Sequence, residues 1–537
     1  MTKTAHIDRF AIRHLPPRAQ WPDLLVTEAG LDYPVRMNAT VELLDAMLAK
    51  GYGDAPVLHT DAATATYYQL FVRVNQICAV LRDDLGLVPG NRVLLRGANN
   101  PMMAACLLAV LRCGLIAVPT MPLLRAGELA TIIDKAQVQA ALCDVALADE
   151  LRGARARCPS LEHVLWFNDG SGTRDALETR LAGAPTRVPA CDTAAEDVAL
   201  IAFTSGTTGR PKGTMHFHRD IIAMCDLFPR HVLRPTDADV FCGTPPLAFT
   251  FGLGGMLCFP MRVGASTLLL ERCTPAGLLA AIERHKATTV FTAPTFYRQM
   301  AAEAHAFDLR SLRACVSAGE ALPDATRQAF RAATGIELID GIGATEMIHI
   351  FISSAGADVR AGAIGKVVPG YEARIVGDDM QTLPPGEVGR LAVRGPTGCR
   401  YLADDRQLKY VCDGWNLTGD TFRQDTDGYF FYQARSDDMI VSSGYNIAGP
   451  EVEDALMRHE AVAECGVVGE PDEARGQIVK AYVVLAAGQI GDDAMTRELQ
   501  EWVKAQIAPY KYPRRIEYLE ALPRTETGKL QRFKLRD

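Results

Sequence analysis

No apolar run in this chain of 537 residues reaches the ~20 residues that cross a bilayer. The strongest, residues 102–118, is interrupted by Arg112 and Gly114, so it predicts a buried helix leading into a strand. The opening MTKTAHIDRFAIRHLPPRAQW lacks the apolar core of a signal peptide, which makes the cytoplasm the expected setting, with no membrane partner. Fourteen cysteines contain no C-x-x-C pair and no regular spacing, which argues against a zinc site or a disulfide framework and predicts reduced thiols. Basic residues are not in excess: 56 Lys and Arg stand against 64 Asp and Glu, a net charge of -8. That excludes a nucleic-acid partner, which would require concentrated positive charge. Repeats of 20–50 residues and low-complexity tracts are also missing, so a solenoid is not expected.

What is present is ordinary globular composition, 48% hydrophobic and 22% charged, in a chain too long for one core. Short β-rich runs alternate with helical patterns: 92–95 before a helix at 100–112, 289–292 before a helix at 294–304, and 198–204 before a Gly-rich loop. The alternation predicts α/β layers with largely parallel sheets. From about Val359, Gly and Pro punctuate short strands such as 372–376 and 389–394, predicting a β-rich subdomain. Beyond 436–438 come a helix at 450–458, strands at 462–468 and 480–485, and a helix at 496–508. The expected architecture is therefore a large α/β N-terminal domain, 1–436, of layered subdomains plus a β-rich one. A small, mobile α+β domain, 437–537, follows it.

The loop Thr204-Ser205-Gly206-Thr207-Thr208-Gly209-Arg210-Pro211-Lys212-Gly213 follows the strand at 198–204. Its glycines let backbone N–H groups approach an anion, its hydroxyls add donors, and Lys212 supplies a point charge suited to terminal phosphates. It is not a Walker A loop, because Pro211 precedes Lys212 and glycine follows. Downstream lie Ser317-Ala318-Gly319-Glu320, Asp340-Gly341-Ile342-Gly343-Ala344-Thr345-Glu346, Leu417-Thr418-Gly419-Asp420, Arg435-Ser436-Asp437-Asp438 and Pro523-Arg524-Thr525-Glu526-Thr527-Gly528-Lys529. Taken singly, Thr345 and Glu346 read as a helix start, Asp420 as a turn residue closing a strand, Arg435 as a solvated cation and Lys529 as part of a basic tail. Two other patterns point nowhere: His216-x-x-x-Asp220 lacks the second adjacent His of an acyltransferase, leaving its histidines to packing or hydrogen bonds. The cluster Gly252-Leu253-Gly254-Gly255 lacks the acidic partner of a dinucleotide motif.

In order and approximate spacing, the six motifs across residues 200–530 resemble the adenylate-forming superfamily, which includes acyl-CoA synthetases, adenylation domains and beetle luciferases. The resemblance implies an ATP- and CoA-dependent acid–thiol ligase that forms an acyl-adenylate and releases AMP and pyrophosphate. It implies ATP contacts from Thr204, Ser205, Gly206, Thr207, Thr208, Gly209, Lys212, Ala318, Gly319, Glu320, Asp340, Gly341, Ile342 and Gly343. Thr345 would bond the α-phosphate, and Glu346 would hold Mg²⁺, a hard cation suited to a carboxylate and phosphates. Asp420 and Arg435 would take the ribose. Lys529 would sit between the acid's carboxylate and the α-phosphate, where an ammonium offsets the repulsion of two anions; loss of one such donor typically costs ~10²–10³ in rate. Asp437 matches the hinge, and Ser443 and Gly444 the coenzyme A tunnel. Many relatives place an aromatic residue against adenine where this chain has Ile342, and Tyr432 is a candidate substitute.

The stretches 246–254 and 340–351, with the opening 9–21, resemble benzoate-CoA and 2-aminobenzoate-CoA ligases more than fatty-acid or acetate relatives. Thr250, Phe251, Ala318, Ile342, Gly343 and His349 would then form a flat apolar slot for one aromatic ring, with Thr250 or His349 facing an ortho substituent. These residues also suit a plain core. A non-aromatic acyl-CoA synthetase, an enzyme loading a carrier protein, and a catalytically inactive nucleotide-binding regulator are the alternatives. A homodimer is possible for any of them.

Overall fold

A computed structural model describes residues 3–204, 211–435, 438–442, 445–472, 475–507, 509–524 and 530–536. The helix Pro101–Arg112 shows how local sequence sets an element. The Asn100 side chain accepts from the Met103 N–H, proline takes the first turn, and Gly114 at φ +69° ends it. Apolar nearly all round, this helix is buried almost completely, and the strand Ile116–Thr120 follows as expected.

That strand belongs to a six-stranded sheet in the order His163–Phe167, Ala140–Asp144, Arg92–Arg96, Ile116–Thr120, Val198–Thr204, Lys212–Phe217. The pairings are parallel except the last. The Gly- and Thr-rich loop therefore joins two antiparallel strands instead of leading from strand to helix. Residues 400–402 run along the free edge of Lys212–Phe217: Met215 donates its N–H to Arg400 O at 2.8 Å, and Leu402 donates to Gly213 O at 2.8 Å.

A nine-stranded sheet carries Leu338–Gly343, Ala314–Ala318, Thr289–Thr292, Val240–Gly243, Ser266–Leu268 and Pro56–His59 as parallel neighbours, flanked by antiparallel edge strands. The β-rich subdomain is a five-stranded antiparallel sheet of Glu372–Val376, Val388–Arg394, Val411–Cys412, Trp415–Gln424 and Phe430–Arg435. The strands Ile440–Ser442, Tyr445–Ile447, Val462–Asp472, Gly476–Leu485 and Arg515–Tyr518 form a further sheet. With the helices Gly449–Met457 and Asp493–Gln506 they enclose a separate core that includes Ile440, Val452, Leu456, Val467, Val479, Leu499 and Val503. Among the described residues, contacts between this small unit and the large one include Asp324 donating its N–H to Asp454 at 3.0 Å, the Arg298 guanidinium reaching Val462 O at 3.5 Å, and Arg524 lying 3.7 Å from Glu320. The expected boundary at 436/437 falls outside the described residues. Among the described residues no helix is long and apolar enough to cross a membrane.

Two expectations need correction. Asp420 does not close a strand; it sits inside Trp415–Gln424, opposite Arg435 in the register. The cysteines are not all single thiols: the packed helices Tyr67–Ala79 and Pro101–Arg112 bring Cys78 and Cys113 to a Cα separation of 6.0 Å, where they are bonded, while the others are free.

Behind the phosphate-loop hairpin, Arg400 and Asp220 form an ion pair with both side chains 0% exposed. Burial works to raise the Asp220 carboxyl, but Arg400, His216 and Arg219 outweigh it and hold it below the ordinary carboxylate range. Breaking a buried pair strands a charge. Asp220→Ala should therefore destabilise the large domain by about 3–5 kcal/mol, read as a lower urea midpoint of its unfolding transition.

Candidate active site

The strands Ala314–Ala318 and Leu338–Gly343 end side by side, with Ala318 opposite Gly341. Crevices beyond the carboxyl ends of parallel strands are where α/β sheets hold ligands. Straight after Gly343 the chain makes one tight turn, Thr345–Met347, and leaves it through Ile348 at φ +66°, a conformation that a β-branched residue adopts only under constraint. The constraint is visible. His216 Nε2 donates to Thr345 O at 2.8 Å, Tyr401 Oη donates to Glu346 Oε1, and Thr397 Oγ1 donates to Met347 O at 2.8 Å. Lys212 Nζ lies 3.3 Å from Glu346 Oε1 and 2.8 Å from Tyr401 Oη. Lys212, predicted from one motif, and Thr345 and Glu346, predicted from another, thus lie together. Glu346 Oε2 has no partner among the described residues, and no cluster of three or more metal-ligating side chains occurs there. A single carboxylate suits a cation that takes its remaining oxygens from phosphate and water.

Tyr401 escaped the sequence reading. It sits between motifs, and nothing in Arg400-Tyr401-Leu402 marks it; only pairing of residues 400–402 with the Lys212 strand brings it here. The histidines of the apparent H-x-x-x-D pattern are hydrogen-bonded, as expected: His216 holds Thr345, and His218 Nδ1 accepts from the Ala39 N–H at 3.1 Å.

Ala318 is buried, Gly319 is exposed at φ +91°, and Glu320 accepts from Thr295 Oγ1 at 2.8 Å while facing Arg524 at 3.7 Å. Gly341 packs against Ile350, and a β-carbon there would come within 2.7 Å of it. Asp340 stands opposite Ser317, and its Oδ1 is enclosed with no partner among the described residues. Burial pushes its carboxyl up to about 7, only partly offset by the Gly341 N–H. The Thr204 hydroxyl, at the end of Val198–Thr204, is likewise enclosed and without a partner among the described residues.

Asp420 and Arg435 face each other at 3.3 Å. Gly419, at φ +78°, permits this, since a β-carbon there would lie 2.9 Å from the Arg435 guanidinium. Tyr432 packs edge-on against Phe422 with ring centres 5.4 Å apart. It shares its hydrophobic cluster with Ile342, the residue it was expected to substitute for.

His349 is surrounded by rings: Phe259 edge-on at 4.5 Å, Phe251 at 5.8 Å and Phe228 at 5.9 Å. Both ring nitrogens are enclosed without a hydrogen-bond partner among the described residues, and burial lowers the imidazole to about 3, so it is neutral above pH 4. The facing helix runs Thr250–Leu253, widens to a π-segment at Gly254–Cys258, and continues as Phe259–Val263. A β-carbon at Gly254 would press to 2.7 Å from His349 Nε2, and one at Gly255 would press on the Phe291 ring. The cluster dismissed as a dinucleotide motif is what lets this helix lie against His349 and Phe291. Thr250 is buried on the same helix, and Gly343 abuts the His349 carbonyl. Ser205, Gly206, Thr207, Thr208, Gly209, Asp437, Ser443, Gly444 and Lys529 lie outside the described residues.

Residues 46–401 match the family "AMP-binding enzyme", and residues 451–529 match "AMP-binding enzyme C-terminal domain". The chain belongs to the AMP-binding enzyme family. Among relatives, benzoate–CoA ligase of Thauera aromatica is 36% identical over 95% of this chain and 98% of its own. The mitochondrial acyl-coenzyme A synthetase ACSM5 of Homo sapiens is 35% identical over 85% and 81%. The crystal structure of the anthranilate CoA ligase AuaEII in complex with anthranoyl-AMP superposes with a TM-score of 0.89, at 35% identity, covering 94% and 98%. As a member of this AMP-binding family close to benzoate–CoA ligases, the protein is an AMP-forming acid–CoA ligase that uses ATP and CoA and proceeds through an acyl-adenylate.

Asp340 gives a pH signature. Its folded pKa is raised, so the folded state binds the proton more tightly, and stability falls as pH rises from the unfolded value of about 3.8 to about 7. Asp340→Asn should flatten that slope and stabilise the protein at pH 8, measured as urea midpoints across pH 4–8.

Proposed function

We propose that the acid is aromatic, of the benzoate or 2-aminobenzoate type. The observation that carries this reading is a neutral, unpartnered imidazole, His349, walled by Phe228, Phe251 and Phe259. A flat apolar slot with one polar group suits a single ring, and a neutral imidazole can donate to or accept from an ortho substituent without attracting the carboxylate to the wrong end. Thr250, Phe251, Ala318 and Gly343 complete the slot. The named benzoate and anthranilate relatives support it; the likeness to ACSM5 supports a non-aromatic acyl substrate instead.

In the first half-reaction an oxygen of the substrate carboxylate attacks the α-phosphorus of ATP, the bond to the β-phosphate breaks, and pyrophosphate leaves. Backbone and hydroxyl groups of 204–209 cradle the phosphates, with Ala318, Gly319, Glu320, Asp340, Gly341 and Ile342 around adenine. Lys212 releases Glu346 to neutralise terminal phosphate charge, Thr345 orients the α-phosphate, and Asp420 with Arg435 fixes the ribose. Glu346 would hold Mg²⁺, which neutralises charge building on the pyrophosphate oxygens. Lys529 offsets the repulsion between the two anions as they meet. Arg524, five residues before Lys529 in the sequence, lies 3.7 Å from Glu320. In the second half-reaction the coenzyme A thiol attacks the acyl carbon and AMP departs. The small domain (437–537) turns about Asp437 to present Ser443 and Gly444 to the thiol arm.

A panel of acids with ATP and CoA, read by AMP release and thioester mass, tests the substrate. Benzoate-type acids should exceed acetate and straight-chain acids in kcat/KM, and the reverse order removes the aromatic reading. His349→Phe should cost 2-aminobenzoate about tenfold more than benzoate, the worth of one hydrogen bond in a closed pocket. Lys529→Ala should abolish adenylation yet still convert a supplied aryl-adenylate to thioester; equal loss of both halves contradicts the division of labour.

A further inference from the structure

We propose that Tyr401 is a positioning residue for ATP: its hydroxyl bridges Lys212 and Glu346 Oε1 and aims the carboxylate. The inference rests on the reading above, in which Lys212 serves the phosphates and Glu346 the metal side.

A phenol has one proton. Oη donates it to Glu346 Oε1 and can therefore only accept from Lys212 Nζ, 2.8 Å away. Tyr401 is the rigid member of this trio. It is 1% exposed, its N–H donates to Gln407 Oε1 at 2.9 Å, and its neighbours Arg400 and Leu402 pair with the Lys212 strand on either side. Tyr410 packs edge-on against its ring at 5.7 Å. Lys212, in contrast, is a flexible stem passing over the Tyr401 ring, its ammonium 4.9 Å from the centre. When a triphosphate draws Lys212 away, the bond from Tyr401 keeps Glu346 Oε1 occupied and leaves Oε2 directed to the cation. Without the hydroxyl, Glu346 Oε1 would keep its direct 3.3 Å contact with Lys212 but lose the rigid donor that holds it once Lys212 turns to the phosphates. Thr397 and His216 hold the same turn by its carbonyls, so Tyr401 is the contact that acts on the Glu346 side chain.

The test uses the full chain and two ligands. α,β-Methylene-ATP needs Lys212 and the metal; an acyl-sulfamoyl adenosine, which lacks the β- and γ-phosphates, needs neither. By titration calorimetry across a magnesium series, Tyr401→Phe should weaken α,β-methylene-ATP about tenfold and raise the half-saturating magnesium concentration. The sulfamoyl adenosine should stay within about twofold, consistent with loss of one charge-assisted hydrogen bond. Equal weakening of both ligands would assign Tyr401 a structural role and overturn the proposal, as would no change in either. Glu346→Gln serves as the reference. If it loses magnesium dependence while Tyr401→Phe does not, the inference about Tyr401 alone falls. If Glu346→Gln also keeps full magnesium dependence, the metal-side assignment falls and takes this inference with it.

Discussion

The ammonium of Lys212 and the carboxylate of Glu346 neutralise each other across 3.3 Å. Two charges held this deep need each other or a ligand, because an isolated buried ion costs several kcal/mol, roughly the scale of a whole domain's margin. The fold thus sets two opposite charges side by side, which a polyanion and a cation bound there would separate. Around it the protein supplies rigidity: a turn held at three successive residues, an Ile348 in a conformation it would not choose, and the buried Asp220–Arg400 pair behind His216. Interactions of that kind make the position of the carboxylate a property of the fold instead of a property of the ligand.

The wall around His349 follows a different principle. Its shape comes from what is absent: Gly254 and Gly255 remove the side chains that would strike His349 and Phe291, and the helix widens by one residue at the same place. The result is a wall of rings with one neutral polar group. Burial lowers the His349 imidazole to about 3 and so keeps it uncharged near neutral pH.

The small unit folds around a core of its own, separate from those of the large unit. Among the described residues, its polar contacts with the large unit include a backbone N–H to Asp454, an arginine to a carbonyl and to the Met457 sulfur, and the Glu320–Arg524 pair. Interfaces of this character are readily exchanged for others.

Periodicity and punctuation were enough to predict the α/β layering, the β-rich subdomain and the α+β unit, because hydrophobic alternation and Gly/Pro breaks are local. The strands Thr289–Thr292 and Glu372–Val376 fall on the predicted residues. Motif order likewise placed Lys212, Thr345 and Glu346, which the fold gathers, and Asp420 with Arg435, which it pairs across a hairpin. What sequence could not express was distance. Tyr401 is separated from Lys212 by 189 positions and joins it through strand pairing; Cys78 meets Cys113 through helix packing; Gly254 matters only because His349 lies opposite. Local order is written in neighbouring residues, whereas a site made of contacts between distant segments exists only once burial of the apolar core has fixed which surfaces face each other.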